Sequence, residues 1–150
     1  MLTRVEQAQR QWGGANNVID KWLADRQAML VAYTELAGLP PYQRQDSALP
    51  SVTEIKHFCQ LLVDYICAGH FEVFETIKAQ TPDKSQDIAE ILDRVYYSTD
   101  AALQFNDKYT QLNDTEILEG FDDALSRLVQ YLDKRFELED KLIGFLLKHD

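Results

Sequence analysis

The stretch FCQLLVDYICAGHFEVFE, residues 58–75, decides how this chain folds, because it predicts one helix with two different faces. Apolar residues in and around it recur at the helical intervals of three, four and seven positions, which gathers their side chains on one side. We expect this stripe to be buried: Ile55, Phe58, Leu62, Ile66, Val73 and Ile77.

The opposite face of the same helix mixes acidic and apolar side chains. At about 100° per residue it carries Leu61, Asp64, Ala68, Phe71, Glu72 and Glu75. Carboxylates around a dry apolar centre favour a docking surface for a basic partner helix. The alternative is an ordinary bundle helix with one exposed Phe, since scattered exposed apolar residues are common.

Turn and capping signals divide the chain into a short leader helix and four long helices. We predict the leader over residues 2–12, then helices over 16–37, 52–80, 82–112 and 113–148. Ser51 with Glu54 has the spacing of a capping box, and Thr81, Pro82 and Asp83 form a second start signal. Gly69 lies inside the second long helix, where it predicts close packing or a local bend.

Long helices with short connections predict an all-α fold, an antiparallel up-and-down four-helix bundle with a short amino-terminal helix. The 150 residues, 45% of them hydrophobic, are expected to form a single domain over 1–150. No apolar run approaches the roughly 20 residues of a membrane span, and the amino terminus lacks the pattern of a signal peptide. We therefore expect a cytoplasmic protein that does not bind membranes.

The net charge of −10 argues against nucleic acid as a direct ligand, because phosphate binding needs clustered Lys and Arg. Charges balance in residues 1–40, so the acidic excess lies in residues 41–150 and favours a basic protein partner. Cys59 and Cys67 are about 12 Å apart along one predicted helix, which excludes a disulfide between them. Both are expected to be small core or near-core residues.

Several polar residues fall on stripes that are otherwise apolar. Glu139 interrupts the last helix with Arg135 one turn away, and Arg26 interrupts the first. Because buried charges are costly unless paired, we predict a satisfied polar cluster. Its candidate members are Arg26, His70, Asn106, Arg135 and Glu139. Such a cluster could set the register of the bundle, or it could line a small-ligand or regulatory pocket.

Metal sites in helical bundles require carboxylate and His side chains at paired helical spacings. Only one Glu-x-x-His occurs, Glu54 with His57, and both fall on the exposed face, while His149 is next to the carboxyl end. No nucleotide-binding or hydrolase motif occurs either. We expect a binding protein rather than an enzyme, with no metal and no cofactor. The alternative is a ligand-sensing or metal-containing bundle that uses its polar interior.

Three segments together carry a family resemblance: VIDKWLADRQAMLVAY at 18–33, FCQLLVDYICAGHFEVFE at 58–75 and RFELEDKLI at 135–143. In order and spacing they resemble the Rsd/AlgQ family of bacterial anti-sigma regulators. The resemblance implies a monomeric protein that binds the primary sigma factor one to one through its region 4. It also implies that promoter DNA and core polymerase are then blocked, which favours alternative sigma factors in stationary phase.

The resemblance also implies a role for one residue. The aspartate of its Leu-Val-Asp-Tyr motif is partner-binding, and here it is Asp64. We expect Asp64, Glu72 and Glu75 to pair with basic side chains of the partner. The dry centre would be filled by Leu61, Ala68 and Phe71, with Asp25 of the first helix as a flanking contact.

Overall fold

The computed structural model describes residues 17–38, 51–111 and 120–147, and every regular element in these ranges is helical. The elements are α1 (Asn17–Ala37), α2 (Val52–Ala68), a π-helical turn (Gly69–Val73), α3 (Phe74–Gln80), a 3-10 turn (Pro82–Lys84), α4 (Ser85–Tyr109) and α5 (Phe121–Leu147). The all-α prediction is confirmed. The predicted leader helix and residues 113–119 of the predicted last helix lie outside the described ranges.

Contacts between neighbouring helices show that they run antiparallel. Along α4 and α5, Tyr109 packs on Phe121 with ring centroids 5.1 Å apart, while Arg135 reaches back to Thr99. Early α2 meets late α4 at Phe58 and Phe105, whose centroids are 6.0 Å apart. α1 packs along α2, and α3 packs on α5. The up-and-down bundle is thus confirmed. Within the described ranges no helix is both long and apolar enough to cross a membrane.

The core of the bundle is built from the stripes that the periodicity predicts. All six residues of the predicted stripe on α2 and its continuation are at most 4% exposed. Two groups of aromatic side chains fill the space between the helices: Phe58, Phe105, Tyr109 and Phe121 toward one end, and Trp22, Tyr65, Phe74 and Phe136 in the other group. Burying each such ring stabilises the fold by about 1.5–3 kcal/mol.

Two of the predicted helix starts are present, and one helix starts later than predicted. Ser51 accepts from the Glu54 amide while Glu54 accepts from the Ser51 amide, so the predicted capping box is present. Thr81, Pro82 and Asp83 begin the 3-10 turn that precedes α4, as predicted, but the buried Thr81 hydroxyl donates to the Ile77 carbonyl and makes no cap bond. The predicted last helix ran through Gly120, whose φ of 77° is left-handed, and α5 begins after it.

The two cysteines differ in environment. Cys59 is fully buried, and burial raises the pKa of its thiol to about 12. Cys67 is exposed, so the expectation of a core or near-core position was wrong for this residue. It follows the buried Ile66, and one step of about 100° around the helix carries it past the edge of the packed stripe.

Candidate protein-binding surface

The mixed face predicted for residues 58–75 runs from α2 through the π-turn to the start of α3, and Asp25 of α1 adjoins it. Asp64, Phe71, Glu72 and Glu75 are exposed. The other predicted contacts, Leu61, Ala68 and Asp25, are half-buried. Phe71 is 70% exposed, so most of its ring is available for contact with a partner. We call these seven residues the acidic-apolar face.

Carboxylates of α1, α2 and the π-turn lie near one another on this face. Partial burial is the main factor that raises the pKa of the Asp25 carboxyl, and the nearby charges of Asp64 and Glu72 raise it further, against the opposing effect of Lys21. Asp64 accepts a hydrogen bond from Gln60 over 2.9 Å. The face therefore concentrates negative charge contributed by α1, α2 and the π-turn.

Shallow grooves flank these carboxylates along the seam between α1 and the helices that follow. One lies toward the π-turn and α3, and the other lies toward the start of α2. The first is lined by Asn17, Val18, Lys21, Phe71, Glu72, Glu75, Thr76 and Ala79. The second is lined by Ala24, Gln27, Ala28, Val31, Ala32, Glu35, His57 and Leu61. Both are rich in small and apolar side chains, so a partner helix could lie along the seam with its apolar residues in contact.

The π-turn determines how the far part of the face is displayed. The amide of Phe74 donates to the carbonyl of Gly69, five residues back rather than four. Three consecutive residues, 70–72, are exposed there before the buried Val73. The expectation of close packing or a bend at Gly69 is confirmed, since an added Cβ would lie 3.1 Å from Cζ2 of Trp22.

Directly beneath the face lies a buried polar cluster. Arg26 donates from Nε to the Tyr65 hydroxyl over 3.0 Å and from Nη2 to Oε1 of Glu139 over 3.2 Å. Tyr65 donates to the same Glu139 oxygen. Burial by itself would lower the pKa of Arg26, but Tyr65, Glu139 and the nearby Asp140 outweigh it and raise that pKa. Burial and Glu139 also raise the pKa of Tyr65.

The cluster continues through Arg135 to α4. Arg135 donates to Oε2 of Glu139 over 2.7 Å and to the Thr99 hydroxyl over 2.7 Å. At the α1 end, Arg26 also bonds to Asp140 over 2.9 Å. Two guanidinium groups and two carboxylates therefore balance in charge, and they link α1, α2, α4 and α5. These bonds connect side chains of four helices in one buried network.

Two predicted members do not belong to the cluster. His70 is exposed, because the π-turn carries it away from the stripe, and its ring packs on Phe71 and Tyr96 at the surface. Asn106 is half-buried about two turns along α4 from Thr99, too far to reach Arg135. Sequence reasoning in turn missed Tyr65 and Asp140. Tyr65 adjoins the buried Ile66 in the same segment and could have been proposed as a donor to a buried carboxylate.

No group of three or more His, Cys, Asp or Glu residues in the described ranges is arranged to hold a metal ion. Glu54 and His57 are both exposed near the start of α2, as predicted, and His149 lies outside those ranges. The chemistry available at the acidic-apolar face is ion pairing and apolar contact, which are the means of protein recognition.

Comparison with known proteins identifies the family of this chain. A family model described as "Regulator of RNA polymerase sigma(70) subunit, Rsd/AlgQ" matches residues 1–147. The chain belongs to the Rsd/AlgQ family. Its Rsd/AlgQ relatives include a protein named "Regulator of sigma D" from Yersinia enterocolitica, 34% identical over 95% of this chain and 88% of that protein. Another, with the same name, from Salmonella paratyphi B is 35% identical over 95% of this chain and 90% of the relative.

Family membership sets the class of function but not the residues that perform it. Rsd/AlgQ is a family of regulators of a sigma factor and not a family of enzymes. The role of each residue of the acidic-apolar face in partner binding stays a prediction.

Proposed function

We propose that this protein is a non-enzymatic anti-sigma factor that binds region 4 of the primary sigma factor through the acidic-apolar face. It needs no cofactor for this, and it acts in the cytoplasm as a monomer in a one-to-one complex. It contacts no nucleic acid and no membrane itself. Family membership supports a sigma factor as the partner, and the chemistry of the face supports a basic helical domain.

The observation that carries the proposal is that Asp25 lies near enough to Asp64 and Glu72 for their charges to raise its pKa, on the same face where Phe71 is 70% exposed. Region 4 contains a helix-turn-helix, and its surface is basic because it reads promoter DNA. A basic helix set along the α1–α2 seam would place Arg or Lys against these carboxylates. Phe71 would then enter an apolar pocket on the partner and exclude water from the ion pairs.

The same contact accounts for regulation. A region 4 domain held by this face has its basic surface covered, so it cannot engage the −35 element or dock on core polymerase. Fewer housekeeping holoenzymes then form, and alternative sigma factors gain access to core polymerase in stationary phase. The mechanism needs only competitive occupancy, in which affinity and the amount of protein set the outcome.

Calorimetry with purified region 4 tests the placement of the face. We expect Asp64→Ala and Phe71→Ala each to weaken binding by about tenfold or more, as truncation of residues at the centre of an interface does. Two residues of α4 provide matched controls. Tyr97 is 72% exposed, similar to Phe71 at 70%, and Asp100 is an exposed carboxylate that lines a groove with α5.

Tyr97→Ala and Asp100→Ala should leave the affinity unchanged. Unchanged binding by both Asp64→Ala and Phe71→Ala would refute the surface. Transcription from a promoter with a −35 element, with core polymerase limiting, then tests the regulatory step. Addition of the unmodified protein should reduce that transcript. Addition of the Phe71→Ala variant in its place should leave the transcript near its original level.

A further inference from the structure

The hydrogen-bond ladder of the segment 52–80 slips by one residue at the π-turn. The Phe74 amide bonds to the carbonyl of Gly69 instead of that of His70. From Ile55 to Gly69, buried positions are separated by at most two residues that are not buried, whereas between Gly69 and Val73 there are three. One extra residue is therefore accommodated on the outer side of the helix. Such π-turns are rare and occur frequently at functional sites.

Trp22 of α1 lies against the backbone where the ladder changes. Its indole N–H donates to the carbonyl of Tyr65 over 3.3 Å, and the Gly69 amide donates to that same carbonyl and to the carbonyl of Ile66. The indole ring stacks on Tyr65 with centroids 5.1 Å apart and meets Phe74 edge-on at 5.8 Å.

The ring approaches so closely that position 69 has little room for a side chain. A Cβ there would lie 3.1 Å from Cζ2 of Trp22 and 3.3 Å from its Nε1. Trp22 therefore packs against the backbone at the point where the ladder changes, and it shares the Tyr65 carbonyl with the Gly69 amide.

The core does not require the extra residue. If one of the three outward residues were absent, a regular α-helix would still direct Val73, Phe74 and Ile77 to the interior, because the ladder would return to four-residue spacing. What the slip changes is the outer surface, where Phe71 and Glu72 now stand side by side beyond Ala68.

We propose that Trp22 and Gly69 are positioning residues of the partner-binding surface, which hold the π-turn so that Phe71 and Glu72 are presented to the partner together. Neither residue touches the partner; both act through the backbone of residues 69–73. This inference rests on the proposed function, because it assigns a cause to the geometry of that same face.

Deletion of His70 tests the proposal, since it removes one outward residue and lets the ladder close regularly. The matched control is His70→Ala, which removes the ring but keeps the residue count. In variants that keep the residue count, scalar coupling through hydrogen bonds reports the ladder, because coupling from the residue 74 nitrogen to the residue 69 carbonyl carbon identifies the π-turn. In the deletion variant these two residues are four apart and bond in a regular helix as well, so a crystal structure of that variant establishes whether its ladder is regular. Calorimetry with region 4 reports binding.

We expect the deletion variant to fold with a regular ladder and to bind region 4 at least about tenfold more weakly. The His70→Ala variant should keep the coupling and stay within about threefold of the original affinity. Trp22→Phe is a second variant, which tests the positioning role if the deletion variant does not fold. It removes the indole N–H and should reduce the coupling and the affinity in parallel.

The outcomes separate this inference from the proposed function. If Phe71→Ala weakens binding but the deletion variant, with its π-turn lost, binds normally, the positioning role is overturned and the face stands. If Trp22→Phe weakens binding with the coupling intact, the positioning role is likewise overturned. If Phe71→Ala has no effect, the proposed face itself fails, whatever the π-turn does.

Discussion

The hydroxyl of Tyr65 donates to Oε1 of Glu139 over 2.5 Å, and neither side chain reaches solvent. The residue before Tyr65 is Asp64, at the centre of the acidic-apolar face. The residue before Arg26, which bonds the same hydroxyl and the same carboxylate, is Asp25. The buried cluster therefore joins α1 to α2 directly under the carboxylates that the two helices present.

Glu139 is expected to be the most sensitive member of this cluster. Glu139→Ala leaves the guanidinium groups of Arg26 and Arg135 buried without their shared carboxylate. Breaking a buried ion pair on one side costs about 3–5 kcal/mol, so the free energy of unfolding should fall by that amount. Equilibrium urea unfolding, followed by far-UV circular dichroism, measures the change.

The control for this prediction lies one turn away on the same helix. Lys134 and Glu137 form an exposed pair with N to O distance 3.6 Å. Lys134→Ala should change the free energy of unfolding by less than about 1 kcal/mol, as is usual for surface pairs. If the free energy of unfolding fell equally in Glu139→Ala and Lys134→Ala, the buried cluster would contribute no more than an ordinary ion pair on a helix surface.

Much of this architecture could be predicted from the sequence, for a physical reason. Helical stripes such as that from Ile55 to Ile77 follow from local spacing, and charges within stripes, such as Arg26 and Glu139, must find partners when buried. The π-turn was hidden because Ile66 and Val73 are seven apart, a spacing that fits a regular helix equally well. The ring of Trp22 against Gly69, to which we attribute the π-turn, is a contact between distant positions that only the packed bundle reveals.

The site was predictable to a similar extent. Helical periodicity was enough to predict that Asp64 and Phe71 face outward, because the stripe on the opposite side of the helix is strongly apolar. The position of His70 was missed, since the slip in the ladder rotates it outward from the stripe edge. Tyr65 was missed because a Tyr on a buried stripe satisfies the apolar pattern, while its hydroxyl partner comes from α5, 74 positions along the chain.

Asp25→Asn is expected to stabilise the protein while it weakens partner binding. The pKa of Asp25 is raised in the folded state, mainly by partial burial and then by Asp64 and Glu72, so the ionised form is disfavoured on folding. At neutral pH the amide removes this unfavourable charge, and the thermal midpoint should rise. Affinity for region 4 should fall, because one carboxylate is lost from the face.

The sign of the pH dependence makes this prediction specific. A group whose pKa is raised in the folded state contributes most favourably to folding stability below its unfolded-state pKa, which is about 3.9 for Asp. This contribution is lost as the pH rises through the pKa of the folded state. The stability difference between Asp25→Asn and the unmodified protein should therefore be largest near neutral pH and shrink on acidification. Thermal unfolding from pH 3.5 to 7 tests this, and a difference that grows toward acid would contradict it.

Thiol labelling should distinguish the two cysteines. Cys67 is exposed, while burial both shields Cys59 and raises its pKa to about 12. Because the thiolate is the reactive form, Cys67 should react with iodoacetamide at pH 8 at least about a hundredfold faster than Cys59. Peptide mass spectrometry after timed quenching gives both rates. In urea the two rates should converge, which provides the control for intrinsic reactivity.

Salt dependence should separate the charged and apolar parts of the acidic-apolar face. Complementary charge mainly accelerates association and is screened by salt, whereas a buried apolar anchor mainly slows dissociation. Asp64→Asn, which keeps the side-chain shape, should lower the association rate for region 4 and reduce its dependence on salt. Phe71→Ala should raise the dissociation rate by about tenfold or more and leave the salt dependence of association unchanged. Surface plasmon resonance at 50–500 mM salt, about a threefold range of Debye length, measures both rates. If Phe71→Ala instead altered the salt dependence and Asp64→Asn did not, the division of roles between these two residues would be wrong.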